Sequence, residues 1–305
     1  MPETIIAGVD IRRPADTRDA LALAARLAPL FDAELLAVAV LAPSRAPDVA
    51  RSEGELLSKV QHASVEVEAS FPYSVRAIPA SSAGRILHEL AERTSAAAVV
   101  IGSSLRHADG RWLPGSVAES LLHGGNSPVV VAPAGFAERP GAHIGIIGAG
   151  FVSTAEANEA VRQAARLAAA GGAELRVISV VEPFLYSRLA MGHEHEALEV
   201  EHDLEQRARA ELEETVENLP EGVRAEPVLV DGAAVPALTR LSAGLDLLVL
   251  GSRGYGAPRA VLLGPVSREL VRRAGCPVMV VPRVGAREAD VALAGGVAES
   301  VQSGA

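Results

Sequence analysis

The chain has 305 residues, more than one hydrophobic core ordinarily organises, so two domains of about 140–150 residues each are expected. A formal net charge of −10 argues against nucleic acid as a partner, because binding phosphates requires cationic side chains to displace counterions. A lone cysteine, Cys276, rules out an intrachain disulfide and leaves no thiolate cluster for a metal.

Hydrophobic residues make up 49% of the chain and aromatic residues 3%, so its cores must be built from Ala, Val, Leu and Ile. Such aliphatic runs suit strands covered on both faces of a parallel sheet. No basic leader precedes the first apolar run, and no stretch approaches the about 18–20 apolar residues that span a bilayer. The expected location is the cytoplasm, with no membrane partner.

In chain order the first half reads as strand 4–10, helix 19–31, strand 34–40, a polar helix at 53–70 and strand 74–78. It continues as helix 86–94, strand 97–101, helix 116–123 and strand 129–132. A Gly- and Pro-containing stretch, 134–142, reads as the linker. The second half begins at Ile144 and ends in apolar strands at 245–250 and 278–281. Strands alternating with helices predict mostly parallel sheets with helices on both faces. The polar residues from 286 onward read as a flexible tail.

The two halves repeat one another. Ala33-Glu34-Leu35-Leu36-Ala37-Val38 matches Ala173-Glu174-Leu175-Arg176-Val177-Ile178 at a displacement of 140. Gly102-Ser103 matches Gly251-Ser252, and Pro128 to Pro133 matches Pro277 to Pro282, both displaced by 149. The second half therefore carries nine extra residues, placed between 182 and 220. The expected domains are 1–138 and 142–285, followed by the tail 286–305.

In open parallel sheets the ligand crevice lies at the carboxyl ends of the strands, where strand order reverses. Gly251-Ser252-Arg253-Gly254 follows the fourth strand of the second half, and Gly264-Pro265-Val266-Ser267 opens the next helix. Glycines so spaced let backbone amides approach an anion, and a helix start aims further amides at it. This is the pattern of a phosphate cradle.

The spacing Gly251-x2-Gly254-x9-Gly264, followed by Cys276-Pro277-Val278-Met279-Val280-Val281, resembles the signature of the universal stress protein family. That resemblance covers both halves. It implies two tandem open parallel five-stranded sheets of order 3-2-1-4-5, nucleotide-alpha-hydrolase-like and flanked by helices, paired through their last strands as an intramolecular pseudo-dimer. It also implies ATP or another adenine nucleotide as ligand, with an acid ending the first strand near the adenine and a valine ending the second.

Carried over by position, the resemblance assigns Asp10, Val40, Gly102, Gly115, Ser116 and Val117 to a first half-site. It assigns Val180, Gly251, Gly254, Gly264, Val266 and Ser267 to a second. Three positions depart from the pattern. Leu105 stands at the second cradle glycine of the first half, where a positive φ would cost about 1–2 kcal/mol. Pro265 replaces a serine in the second half, and aligning helix starts sets Gly150 opposite Asp10. The second half is the stronger expected phosphate binder.

The implied function is an adenine-nucleotide-responsive regulatory module of the stress response with an unidentified protein partner. Catalysis is expected to be absent or limited to slow ATP hydrolysis. The alternatives are an interaction scaffold with degenerate sites, acting through pairing of strands 129–131 and 278–281, and an adenylyl-transfer enzyme. Association of two chains is a further option.

Remaining features carry two readings each. His193, Glu194, His195, His202 and Asp203 have the composition of a metal cluster, but their acidic surroundings read as the solvated face of a long helix. Phe184, Tyr186, Leu189 and Met191 read as a lid or as packing on a neighbouring helix. Trp112 covers the first cradle or packs on its own domain. Asp231-Gly232 reads as a turn before a helix. Cys276 reads as a buried, unreactive thiol at a strand entrance.

Overall fold

A computed structural model gives the fold. It describes residues 3–66, 71–103, 105–106, 112–113, 116–122, 126–139, 143–182, 194–252 and 264–282. The first half runs β1 (Glu3–Val9), α1 (Pro14–Leu27), β2 (Ala33–Leu41), α2 (Val49–Glu66), β3 (Tyr73–Pro79), α3 (Ala83–Thr94) and β4 (Ala98–Gly102). A short hairpin, β5 (Leu105–Arg106) and β6 (Trp112–Leu113), precedes α4 (Ser116–Leu122) and β7 (Val129–Ala132). The second half runs β8 (Ile146–Phe151), α5 (Ala155–Gly171), β9 (Glu174–Val181), α6 (Glu194–Glu217), β10 (Arg224–Asp231), α7 (Ala234–Leu241), β11 (Leu247–Gly251), α8 (Pro265–Arg273) and β12 (Val278–Val281).

Local chemistry sets several of these boundaries. Helix α1 starts at Pro14, five residues before the expected start at Asp19. Proline suits a first turn because its missing N–H would be unpaired there anyway. The Thr154 hydroxyl caps α5 by accepting from Ala157 N at 3.3 Å, and Gly172 ends it at φ 63°. In α2, Leu56, Val60 and Ala63 recur at helical spacing and are buried, while the intervening residues are mostly exposed.

Each half forms a parallel sheet of order 3-2-1-4-5, as expected: β3-β2-β1-β4-β7 and β10-β9-β8-β11-β12. The two join edge to edge where β12 pairs antiparallel with β7, Met279 opposite Val130, giving one ten-stranded sheet. Continuity would argue against a duplicated architecture if strand order ran through the junction. Instead the order restarts in mirror sequence from the junction outward, and the β7–β12 ladder is the single antiparallel one in this sheet.

Both faces of the sheet carry an apolar layer that crosses the junction. One layer gathers Leu23 of α1, Leu56 of α2 and Leu167 of α5 over Val130 and Met279. The other gathers Leu87 of α3, Leu121 of α4, Leu238 of α7 and Leu270 of α8 over Val131 and Val278. The central strands between them are largely aliphatic, the pattern the composition required, while the edge strands β3 and β10 carry Tyr73, Arg76, Arg224 and Glu226.

The linker is docked over part of its length. Phe136 is buried, and the Asp19 carboxylate of α1 accepts from Gly135 N at 2.9 Å and Ala137 N at 2.8 Å. Arg26 lies over the Phe136 ring, 4.4 Å from its centroid. Burial raises the Asp19 pKa above its ordinary value, against the opposing effect of the two N–H donors.

Cys276 is buried just before β12, and burial pushes its thiol up to about 12. His202 and Asp203 are exposed on α6, and Arg209 pairs with Glu205 at 3.2 Å along the same helix. Phe184, Tyr186, Leu189, Met191 and His193, the side chains of Trp112 and His195, and the tail 286–305 lie outside the described residues.

Candidate functional site

Strand register gives a residue-by-residue equivalence between the halves. Ile5 pairs with Ala98, and Ile147 pairs with Leu247; the same strands place Ile5 beside Leu35 and Ile147 beside Leu175. Gly8 therefore corresponds to Gly150, Val9 to Phe151 and Asp10 to Val152. Aligning helix starts set Gly150 opposite Asp10; the ladder corrects that by two positions. The residue at the acid's place is Val152, with 56% of its surface exposed.

The error has a physical source. Positions in β1 and β8 correspond at a displacement of 142, whereas Asp16 and Glu156 correspond at 140, each lying against the glycine that ends the fourth strand. The loop after β8 is therefore two residues shorter than the loop after β1.

At the carboxyl ends of β1, β2 and β4 lies a cavity of about 280 Å³. Its lining includes Asp10, Val40, Gly102 and Val117 of the expected first half-site, with Arg12, Arg13 and Asp16 at its edge. Gly115 lies outside the described residues, and Ser116 is placed at the start of α4. The equivalent cavity of the second half, at the ends of β8, β9 and β11, measures about 390 Å³. It brings together Val180, Gly251, Gly264, Val266 and Ser267 of the expected second half-site. Gly254 lies outside the described residues.

The larger volume falls within the about 300–1,000 Å³ usual for small-molecule sites, and the smaller just below it. Their walls correspond: Val38 with Ile178, Val40 with Val180, Leu87 with Leu238.

The mouths differ. In the first half both Asp10 oxygens are engaged: Oδ1 accepts from Arg12 N at 3.0 Å and Arg12 Nε at 2.9 Å, and Oδ2 from Arg12 Nη2 at 2.9 Å. The side-chain bonds from Arg12 hold the Asp10 carboxyl below the usual aspartate range, while burial pushes that of Asp16 up. In the second half the described lining has one ionisable side chain, Glu156, the counterpart of Asp16. Phe151, Val152, Ile178 and Leu238 supply apolar wall, and Thr154, Ser252 and Ser267 supply hydroxyls.

The cradles also differ. Leu105 pairs with Leu113 across the β5–β6 hairpin, so its backbone is extended. The strain expected from a positive φ at Leu105 is thereby avoided, because this half has a hairpin where the pattern has an open glycine loop. The backbone of β6 reaches across to lie against α8 of the second half. Pro265 occupies the first turn of α8, where it fits, and Ser267 Oγ donates to Gly251 O at 3.2 Å.

Gly102 and Gly251 have a further reason to lack a side chain. A Cβ at Gly102 would sit 2.5 Å from the backbone oxygen of Asp16, and one at Gly251 would sit 2.6 Å from that of Glu156. Close packing of α1 and α5 on the sheet needs these glycines whatever the crevice holds.

Two open α/β sheets of one topology, each with a crevice at its switch point and joined by their last strands, define a tandem α/β protein of nucleotide-alpha-hydrolase-like fold. The profile of the universal stress protein family matches residues 1–133 and again 146–282, and the chain belongs to that family.

A universal stress protein of Mycobacterium tuberculosis is 36% identical over 141 residues, covering 40% of this chain and 43% of the relative. The chain thus matches less than half the length of that relative. Another, from Mycobacterium bovis, is 28% identical over 219 residues, 69% of this chain and 72% of the relative. Among solved structures, a universal stress protein from Archaeoglobus fulgidus superposes with a TM-score of 0.61 at 18% identity, covering 93% of this chain and 99% of its own. At that identity the likeness is one of fold.

No helix among the described residues is long and apolar enough to cross a membrane, and none of the described His, Cys, Asp and Glu residues gather in a group fit for a metal ion.

Proposed function

We propose that this chain is a nucleotide-responsive binding module of the stress response, with domains 1–138 and 142–285, in which an adenine nucleotide in the second crevice biases contacts with a protein partner. The observation that carries this reading is the cavity of about 390 Å³ that gathers Gly251, Gly264, Val266 and Ser267 at the ends of β8, β9 and β11. The first turn of α8 opens there, and the backbone N–H groups of that turn, which have no partner within the helix, suit a phosphate at the end of β11. Chemistry is at most slow hydrolysis, since the described lining offers no His, Lys or Cys to move a proton or attack.

The first crevice is the weaker nucleotide site. Its acid is occupied by Arg12, and its cradle position lies in a hairpin. A scaffold acting through strands 129–131 and 278–281 is disfavoured, because those edges already pair with each other inside the chain.

Isothermal titration with ATP, ADP, AMP and cyclic AMP tests the proposal. Binding should be lost in Gly254→Leu and retained in Val40→Trp, which fills only the first crevice. Gly102→Leu is unsuitable as a control, because its side chain would collide with the α1 backbone. Silence with all four nucleotides in the unmodified chain would refute the reading.

A further inference from the structure

The linker that leaves β7 docks on one stripe of α1, formed by Asp19, Leu23 and Arg26 at helical spacing. Asp19 accepts from two linker N–H groups, Leu23 is fully buried, and Arg26 lies over the Phe136 ring. At the displacement of 140 that relates α1 to α5, the same stripe reads Glu159, Gln163 and Arg166. Its chemistry has changed. The Glu159 carboxylate is taken by Arg162 Nε at 3.0 Å and by Arg166 at 3.8 Å, and the Arg166 side chain is 67% exposed. Gln163 stands where α1 has Leu23. It is only 9% exposed, and among the described residues no hydrogen bond engages its amide.

Leaving a buried amide unpaired is costly, and buried polar side chains nearly always have partners. A glutamine amide offers an acceptor and donors side by side, the complement of a peptide C=O and N–H. The stretch of chain that starts within reach is the one leaving β12. That strand packs against α5, and the described chain ends one residue beyond it, at Pro282, with residues 283–305 following. Pro282 corresponds to Pro133, from which the linker turns onto α1. We infer that α5 carries a docking site for the chain's own segment 283–286, held through the Gln163 amide, as α1 holds the linker through Asp19.

The change of receptor follows from the change of segment. The linker places Gly135 at φ 75°, which aims the N–H groups of Gly135 and Ala137 at one carboxylate. Val284 stands at the place of Gly135 at a displacement of 149, and a β-branched residue is strained at positive φ. A segment that stays extended instead points the N–H and C=O of one residue to the same side, which suits an amide better than a carboxylate. Val284 also brings an apolar side chain to the stripe, as Phe136 does in the first half. Docked there, the segment lies on the helix whose N-terminus supplies Thr154 and Glu156 to the second crevice.

Hydrogen exchange of the full chain, read by mass spectrometry on its C-terminal peptides, tests the inference. The amides of residues 284–286 should exchange about tenfold or more slower than free peptide of the same sequence. Gln163→Leu, which restores the residue found in α1, should bring them to within about threefold of the free rate. Val284→Asp changes only the segment, should act the same way, and serves if Gln163→Leu impairs folding. Exchange at the free rate in the unmodified chain would overturn the inference, as would protection that neither substitution moves. Protection that grows with protein concentration would put a second copy on this face of α5 and overturn the assignment to the chain's own segment.

Discussion

The two crevices show how a duplicated fold keeps its frame while its sites diverge. Wherever the lining also packs the sheet, the halves agree: Gly8 and Gly150, Gly102 and Gly251, Val40 and Val180 occupy equivalent places. They disagree wherever the lining is free of the core. There the first half has an aspartate fixed by an arginine and a β5–β6 hairpin after its fourth strand, and the second has a half-exposed valine and a shorter loop. Packing holds the first group in place and places no such demand on the second.

The sharpest way to break this comparison is to add a side chain at the two shared glycines. Gly102→Val and Gly251→Val should each destabilise their half by about 3 kcal/mol, because the obstacle is helix backbone and cannot rotate away. Urea melts of both variants check this. If either variant melted as the parent does while losing ligand, the glycine would serve the ligand and not the packing.

A smaller effect should separate two acids at equivalent places, Asp19 of α1 and Glu159 of α5. Asp19 accepts from two linker N–H groups, and Asp19→Ala should cost about 2 kcal/mol by leaving them unpaired. Glu159 pairs with Arg162 and Arg166, both well exposed, so Glu159→Ala should cost about 0.5 kcal/mol or less. The same melts rank them, and equal losses would show that the linker contact contributes nothing.

The smallest effect concerns protons at the first mouth. Arg12→Ala should leave the melting midpoint nearly unchanged, since Arg12 is exposed, yet raise the Asp10 pKa toward its ordinary value. Carboxyl NMR titration checks this. The signs of the three acids are opposed. Asp10 has a lowered pKa, so its contribution to stability is present above the unfolded value and fades as pH falls through the folded one. Asp16 and Asp19 have raised values and are protonated more readily folded than unfolded. Each therefore disfavours folding increasingly as pH rises from the unfolded toward the folded value.

Sequence reading recovered the alternation of strands and helices because the central strands are aliphatic runs, while β3 and β10 at the two edges carry polar residues such as Arg76 and Glu226. The two identical strand orders and the pairing of β7 with β12 were implied by the resemblance to the universal stress protein family, not by that pattern. Boundaries drifted where polar residues continue a helix, as at the start of α1, which reaches back to Pro14.

The site was legible only in part. The glycines stood out by spacing and the valines entered through the family resemblance, but glycine spacing could not tell a cradle from close helix packing, and at Gly102 and Gly251 packing suffices. The equivalence of Asp10 and Val152 was missed because it depends on ladder register across a loop that differs in length. Arg12 was missed as well. An Asp-x-Arg step is common, and only the three bonds to Asp10 show what it does.

The antiparallel clasp between Val278–Val281 and Val129–Ala132 has a consequence for evolution as well as for shape. When identical subunits meet by such a contact, symmetry obliges both binding places to be copies, and every substitution appears twice. Fusing them into a single polypeptide lifts that obligation while fixing the ratio at one of each. Either place can then drift toward a new ligand without a change in its sibling, and no separate assembly step is needed to bring the unlike pair together.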